Sequence, residues 1–164
     1  MGHIWLIGMM GSGKTTVGVL AAQILERPFL DTDAMVMGET GRTIPELFAE
    51  SEALFREAES AAVAAAAIAS DSVIASGGGS ILSPDNVTVM EGSGTIVLLD
   101  VDAATISERV EISGDRPLLI TTEAVRRILS ERAGVYDGAA QRTVSTIGRA
   151  PHDIAMEVAL CVDM

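Results

Sequence analysis

Cysteine is nearly missing from this chain: Cys161 stands alone close to the C-terminus. One thiol excludes an intrachain disulfide, and without activating neighbours it reads as a buried thiol rather than a nucleophile. Long apolar runs are also missing. Apolar residues make up 48% of the 164, yet Gly, Asp, Ser and Arg break them into short stretches. None approaches the ~20 residues that a membrane span requires. The apolar start leads directly into GMMGSGKTT with no basic leader or cleavage site, so no signal peptide is expected. Basic charge is scarce: 11 Lys and Arg face 23 Asp and Glu, giving a net charge of −12 and a pI near 4.4. That balance opposes general binding to nucleic acid or to an anionic membrane. The expectation is a single domain over residues 1–164, soluble and cytoplasmic, with no nucleic-acid or membrane partner, and monomeric.

Scarcity makes the remaining cations informative, because an acidic protein that takes an anionic ligand must gather its few cations at the site. Only one of the 11 is lysine, Lys14, and it lies inside a glycine loop. A compact ammonium is wanted there. For the arginines, a general compositional preference for Arg is an equally simple account.

What is present is an alternation of strands and helices. HIWLIG (3–8) is a β-rich run ending in glycine, and TVGVLAAQILE (16–26) has helical spacing. PFLDTD (28–33) reads as a second strand ending in two carboxylates. Residues 34–69 are helical, interrupted by a turn around 38–43, with Thr43 and Glu46 forming a capping box around Pro45. Residues 59–70 have high helix propensity. DSVIASGGGS (71–80) is a strand running into glycines, and Ser83 caps a helix over 83–90. GTIVLLDV (94–101) is a continuous apolar strand, as in a sheet covered on both faces. Helices over 103–112, 123–141 and 152–162, a strand over 142–146 and a polar excursion over 113–122 complete the chain. The natural packing is an α/β fold with a parallel sheet of about five strands and helices on both faces.

Gly8 to Thr15 matches GxxxxGK[ST], and it has a strand before it and a helix after it. Glycines let successive N–H groups converge on phosphate oxygens at a helix N-terminus. Gly11, Ser12, Gly13, Lys14, Thr15 and Thr16 are therefore the candidate triphosphate contacts, with Lys14 at the β/γ-phosphates and the Thr15 hydroxyl on Mg²⁺. Asp31 and Asp33 stand at the end of the next strand, and strand alternation places them on one side. Either caps the following helix, or one serves Mg²⁺ and the other an acceptor hydroxyl.

Arg56, Arg116, Arg132 and the triplet Gly77, Gly78, Gly79 point to a second ligand. Arg56 and Glu59, three apart on a helix, form a surface ion pair or a fixed guanidinium aimed at a carboxylate. The glycines form a bare turn or a backbone cradle. Arg116 lies on the Gly/Pro-flanked excursion, which suits a mobile lid closing over transferring phosphate. Arg132, taken alone, reads as a solvated charge.

In order, GMMGSGKTT, DTD, GRTIPELFAESEALFREAE, SGGGS, DRPLL and ERAGVY resemble the shikimate kinase family over nearly the whole chain. The resemblance implies a P-loop kinase fold with a mobile lid at about 112–124 and an acceptor-binding helical region at about 33–61. It implies ATP-dependent phosphorylation of the 3-hydroxyl of shikimate, with Mg²⁺, in the route to aromatic amino acids. By the same resemblance Asp33 holds shikimate hydroxyls, and Arg56 and Arg132 grip its carboxylate. Gly77–Gly79, Gly78 above all, offer backbone contacts. Arg116 meets phosphate, Asp31 supports Mg²⁺ with Thr15, and Arg109 and Arg149 flank the adenine. Two departures stand out: Ser51 replaces a frequent glycine, and the stretch from Arg116 to Arg132 is shorter by about one helical turn. The rival readings are a gluconate-kinase-like enzyme and a non-catalytic nucleotide-binding protein. A nucleoside monophosphate kinase fits less well, because the acceptor region has little aromatic surface for a base.

Overall fold

The computed structural model describes residues 2–113 and 121–163. Five parallel strands, β1 (His3–Ile7), β2 (Phe29–Asp31), β3 (Val73–Ala75), β4 (Gly94–Asp100) and β5 (Arg142–Ser145), lie in the order β2-β3-β1-β4-β5. Parallel neighbours need crossovers, and the helices between strands supply them, with one more helix after the last strand. These are α1 (Lys14–Leu25), α2 (Thr32–Thr40), α3 (Ile44–Glu50), α4 (Glu52–Ala67), α5 (Pro84–Ser93), α6 (Ala103–Ser113), α7 (Thr122–Ala139) and α8 (Pro151–Ala159).

Central strand β1 is buried at every position, and its alternation divides the core in two. Ile4 and Leu6 pack with Val17 and Ala21 of α1 and Ile154 and Val158 of α8. Trp5 and Ile7 pack on the other face with Val63 and Ala66 of α4, Met90 of α5 and Tyr136 of α7. From Ile4 to Ile7 the strand is apolar throughout, the expected composition where both faces are covered. No helix among the described residues is long and apolar enough to cross a membrane.

Helix boundaries follow their caps. Thr43 accepts from Glu46 N while Thr43 N donates to Glu46 Oε2 at 2.7 Å, the expected capping box. Ser51 ends α3 and caps α4 by accepting from Leu54 N, so the residue standing where the family often has glycine has a local task. The helical stretch expected over 34–69 is thus three helices, α2, α3 and α4. One expectation is corrected. The second strand stops at Asp31 rather than Asp33, because the Asp31 carboxylate accepts from Asp33 N and Ala34 N and starts α2. Asp33 therefore lies in the first turn of a helix, and strand alternation does not govern where it points. Of the expected lid, residues 112–113 end α6 and 122–124 begin α7; residues 114–120, with Arg116, lie outside the described residues.

Candidate active site

The loop from Gly8 to Gly13 joins the C-terminal edge of β1 to α1. Gly13, at φ 93°, is the N-cap of α1 and supplies no side-chain bond to it. The first amides of the helix are left facing the loop, as an anion site requires. A Cβ at Gly13 would meet nothing closer than 3.7 Å, so the left-handed backbone, not space, is what glycine provides. Lys14 Nζ folds over the loop and donates to Gly8 O at 2.7 Å and Met9 O at 2.9 Å. Thr15 Oγ1 donates to Asp31 Oδ2 at 3.1 Å, so hydroxyl and carboxylate meet at the mouth of the loop. Asp31 thus both caps α2 and faces Thr15; the two readings of this residue are compatible. A cavity of about 280 Å³ is lined by Gly11, Gly13, Lys14, Thr15, Thr16, Asp31 and Asp33. Ser12 is fully buried instead, with its N–H on Met9 O and its hydroxyl without a partner among the described residues.

The two arginines expected beside the adenine behave differently. Arg109 Nη1 donates to Gly11 O at 3.0 Å and Nη2 to Thr146 O at 3.3 Å, bridging the loop and the turn after β5. Arg149, in that same turn, pairs with Glu157 Oε2 at 2.7 Å and donates to Ser145 O, so its guanidinium is engaged along α8.

A second cavity beside the loop draws on α2, α3, α4, the glycine triplet and α7. On α4, Arg56 Nη1 pairs with Glu59 Oε2 at 2.8 Å. The guanidinium lies 5.6 Å from the Phe48 ring centre and 5.3 Å from Phe55, and the two rings stack on each other. Glu59 is 2% exposed, so this is no surface pair. Burial raises the Glu59 carboxyl above its ordinary range, outweighing the opposing pull of Arg56. Held by Glu59 and two rings, with the exposed Glu52 Oε1 3.8 Å from Nε, Arg56 keeps a set direction.

The glycine triplet packs against these charges. A Cβ on Gly79 would lie 2.5 Å from Arg56 Nη1, and one on Gly77 would lie 2.8 Å from both Asp33 Oδ1 and Glu59 Oε1. Close approach, not a bare turn, explains the glycines. Their polar groups can be followed one by one. Gly77 N donates to Thr32 Oγ1, Gly77 O accepts from Ser80 N and Oγ, and Gly79 O accepts from Leu82 N. Gly78 O accepts from Tyr136 Oη at 2.6 Å and from Arg132 Nη1 at 3.4 Å. The N–H groups of Gly78 and Gly79 are left without an acceptor among the described residues. Arg132 is therefore directed at the site from α7, not solvated.

Asp33, Arg56, Gly77, Gly78, Gly79 and Arg132 line one cavity of about 190 Å³. Met10, Asp33 and Gly78 line both cavities, so the two adjoin. Phe48 and Phe55 in the lining, and Tyr136 behind it on the Gly78 carbonyl, are not among the residues expected from the sequence. Tyr136 lies four residues beyond Arg132, on the same helical face, and that spacing was the available signal.

A family model described as shikimate kinase matches residues 10–163. The chain belongs to the shikimate kinase family. It is 38% identical over 162 residues to the shikimate kinase of Symbiobacterium thermophilum, covering 95% of this chain and 93% of that protein. With the shikimate kinase of Moorella thermoacetica it shares 41% over 160 residues, covering 96% and 92%. Among solved structures, shikimate kinase from Acinetobacter baumannii in complex with shikimate matches with TM-score 0.89 and 33% identity, covering 96% of this chain and 90% of that one. A gluconokinase from Sinorhizobium meliloti matches with TM-score 0.66 at 18% identity, a likeness of fold alone. The shikimate kinase family consists of ATP-dependent kinases that transfer phosphate to a shikimate hydroxyl, and that is the activity of this chain.

Proposed function

We propose that the two adjoining cavities carry out transfer of the γ-phosphoryl group of ATP to the 3-hydroxyl of shikimate, giving shikimate 3-phosphate and ADP. The observation that carries this reading is the sharing of Asp33 and Gly78 between the phosphate cavity and the arginine-lined cavity. A group seated at that junction is reachable from both ligands. In this reading the α1 amides and Lys14 bind the β- and γ-phosphates, and Arg56 and Arg132 bind the acceptor carboxylate. The free N–H groups of Gly78 and Gly79 add donors, and Asp33 accepts the hydrogen bond of the hydroxyl and aims its lone pair at phosphorus. Phosphoryl transfer asks for little more than such alignment and charge neutralisation. Arg116 is assigned to the transferring phosphate, and Arg109 and Arg149 to the edge of the adenine, by family resemblance.

The donor set also fits Mg²⁺. Thr15 Oγ1 and Asp31 Oδ2 are hard oxygens 3.1 Å apart beside the loop. Among the described residues no group of three or more His, Cys, Asp or Glu could hold a metal alone, so the nucleotide would supply further oxygens. Bound there, Mg²⁺ would neutralise charge developing on the β/γ-bridging oxygen. A monomeric state and a cytoplasmic role in making aromatic amino acids are assigned by family resemblance. The test is a coupled ADP-release assay with Mg·ATP and either shikimate or gluconate. Turnover with shikimate alone is expected; no turnover with shikimate under conditions where ATP binds would overturn the reading.

A further inference from the structure

The carbonyl of Gly78 receives two donors from one face of α7, and they are unequal. Tyr136 Oη reaches it at 2.6 Å, a short O–H···O bond, while Arg132 Nη1 stands at 3.4 Å, beyond the usual N–H···O range. Tyr136 is 3% exposed, and burial pushes its phenol above the ordinary tyrosine range, so it stays a protonated donor. The Arg132 guanidinium opposes that shift, and its Nη1 shares the Gly78 carbonyl with the phenol. Tyrosine oxygen, glycine carbonyl and arginine therefore form one small cluster at the wall of the acceptor cavity.

We propose that Tyr136 is a positioning residue for the acceptor: by satisfying the Gly78 carbonyl, it leaves the Arg132 guanidinium available to an incoming carboxylate. This rests on Arg132 acting as a carboxylate ligand, as in the proposed function. Without the hydroxyl, a half-buried carbonyl loses its shorter donor, and such a group takes up another donor within reach. Arg132 is the nearest, and closing its gap would give a charge-assisted bond to the loop at the acceptor's expense.

A second effect runs through the peptide itself. Carbonyl and N–H lie on opposite sides of a planar trans peptide, so holding Gly78 O toward α7 aims Gly79 N–H away from it. Gly79 N–H is one of the two loop donors without an acceptor among the described residues. On the nucleotide side the loop is backed by the P-loop: a Cβ on Gly78 would lie 3.5 Å from Gly8 O and 3.6 Å from Met10 N. The Gly78 peptide can rotate if released, but it cannot retreat toward the triphosphate. Loss of the hydroxyl should thus be felt by the acceptor and hardly by ATP.

The experiment compares Tyr136→Phe, which keeps the packed ring, with wild type, and repeats the substitution in an Arg132→Ala background. Steady-state constants for both substrates and Tm are measured for all four proteins. The KM for shikimate is expected to rise about tenfold in Tyr136→Phe, the scale of one well-made hydrogen bond. Both kcat and the KM for ATP should stay within about twofold, and in the Arg132→Ala background the second change should add less than about twofold. An equal rise in both backgrounds would overturn the proposal alone, as would a joint decline of kcat, both KM values and Tm. An Arg132→Ala enzyme with an unchanged KM for shikimate would overturn the carboxylate-ligand reading, and the proposal with it.

Discussion

The nucleotide half of the site is contiguous and made largely of backbone, whereas the acceptor half is collected from distant segments and made largely of side chains. Gly8–Thr15 fold one loop onto one helix end, and what the loop offers a phosphate follows from local geometry. The acceptor cavity needs α2 for Asp33, α4 for Arg56 and Glu59, the glycine triplet, and α7 for Arg132 and Tyr136. Backbone donors tolerate changes in neighbouring side chains. An arginine depends on the residues that hold it, and Arg56 is held here by a buried carboxylate and two phenyl rings. The two halves should therefore respond to substitution in different ways.

The largest effect is expected on the nucleotide half. Lys14→Ala removes the only side-chain cation in the loop and should lower kcat by about a thousandfold, with Tm almost unchanged. Single-turnover kinetics together with a thermal melt would check this, and unimpaired transfer would count against the phosphate assignment. On the acceptor half, Gly79→Ala places a Cβ 2.5 Å from Arg56 Nη1. The guanidinium must give way, and the KM for shikimate should rise about tenfold while that for ATP stays level. A parallel change in both constants would mean that the halves are not separable.

The smallest effect is one of stability. Burial raises the Glu59 carboxyl above its unfolded value near 4.5. The folded state then holds the proton more tightly, so stability falls as pH rises from about that value through the folded pKa, and is flat above it. Glu59→Gln mimics the protonated form, and should erase this slope without lowering Tm at neutral pH. Because Arg56 loses its buried charged partner and keeps only the exposed Glu52, affinity for shikimate should fall modestly. A steeper loss of stability in the variant as pH rises would contradict the assignment.

How much was legible in the sequence follows the same division. The P-loop, the five parallel strands and the two-sided helical cover are written in local patterns: apolar runs, glycines and caps. Asp31 and Asp33 were identifiable as a pair, but the strand was read two residues too far. The rule that decided it, a carboxylate accepting from the next turn's amides, competes with strand alternation and wins at Asp31. Arg56 with Glu59 is visible as a helical pair; the burial of Glu59 against Gly77 and the contact with Phe48 of α3 come from packing between distant segments. Tyr136 could be placed on the face of Arg132, but nothing local reveals that its hydroxyl meets a carbonyl 58 residues away in sequence.

The central claim, two separable half-sites meeting at Asp33, is tested most directly by calorimetric titration of Arg56→Ala with shikimate and, separately, with a non-hydrolysable Mg·ATP analogue. Loss of a fixed arginine–carboxylate contact should weaken shikimate binding by about a hundredfold and leave the nucleotide within about twofold of wild type. Equal losses for the two ligands would contradict it.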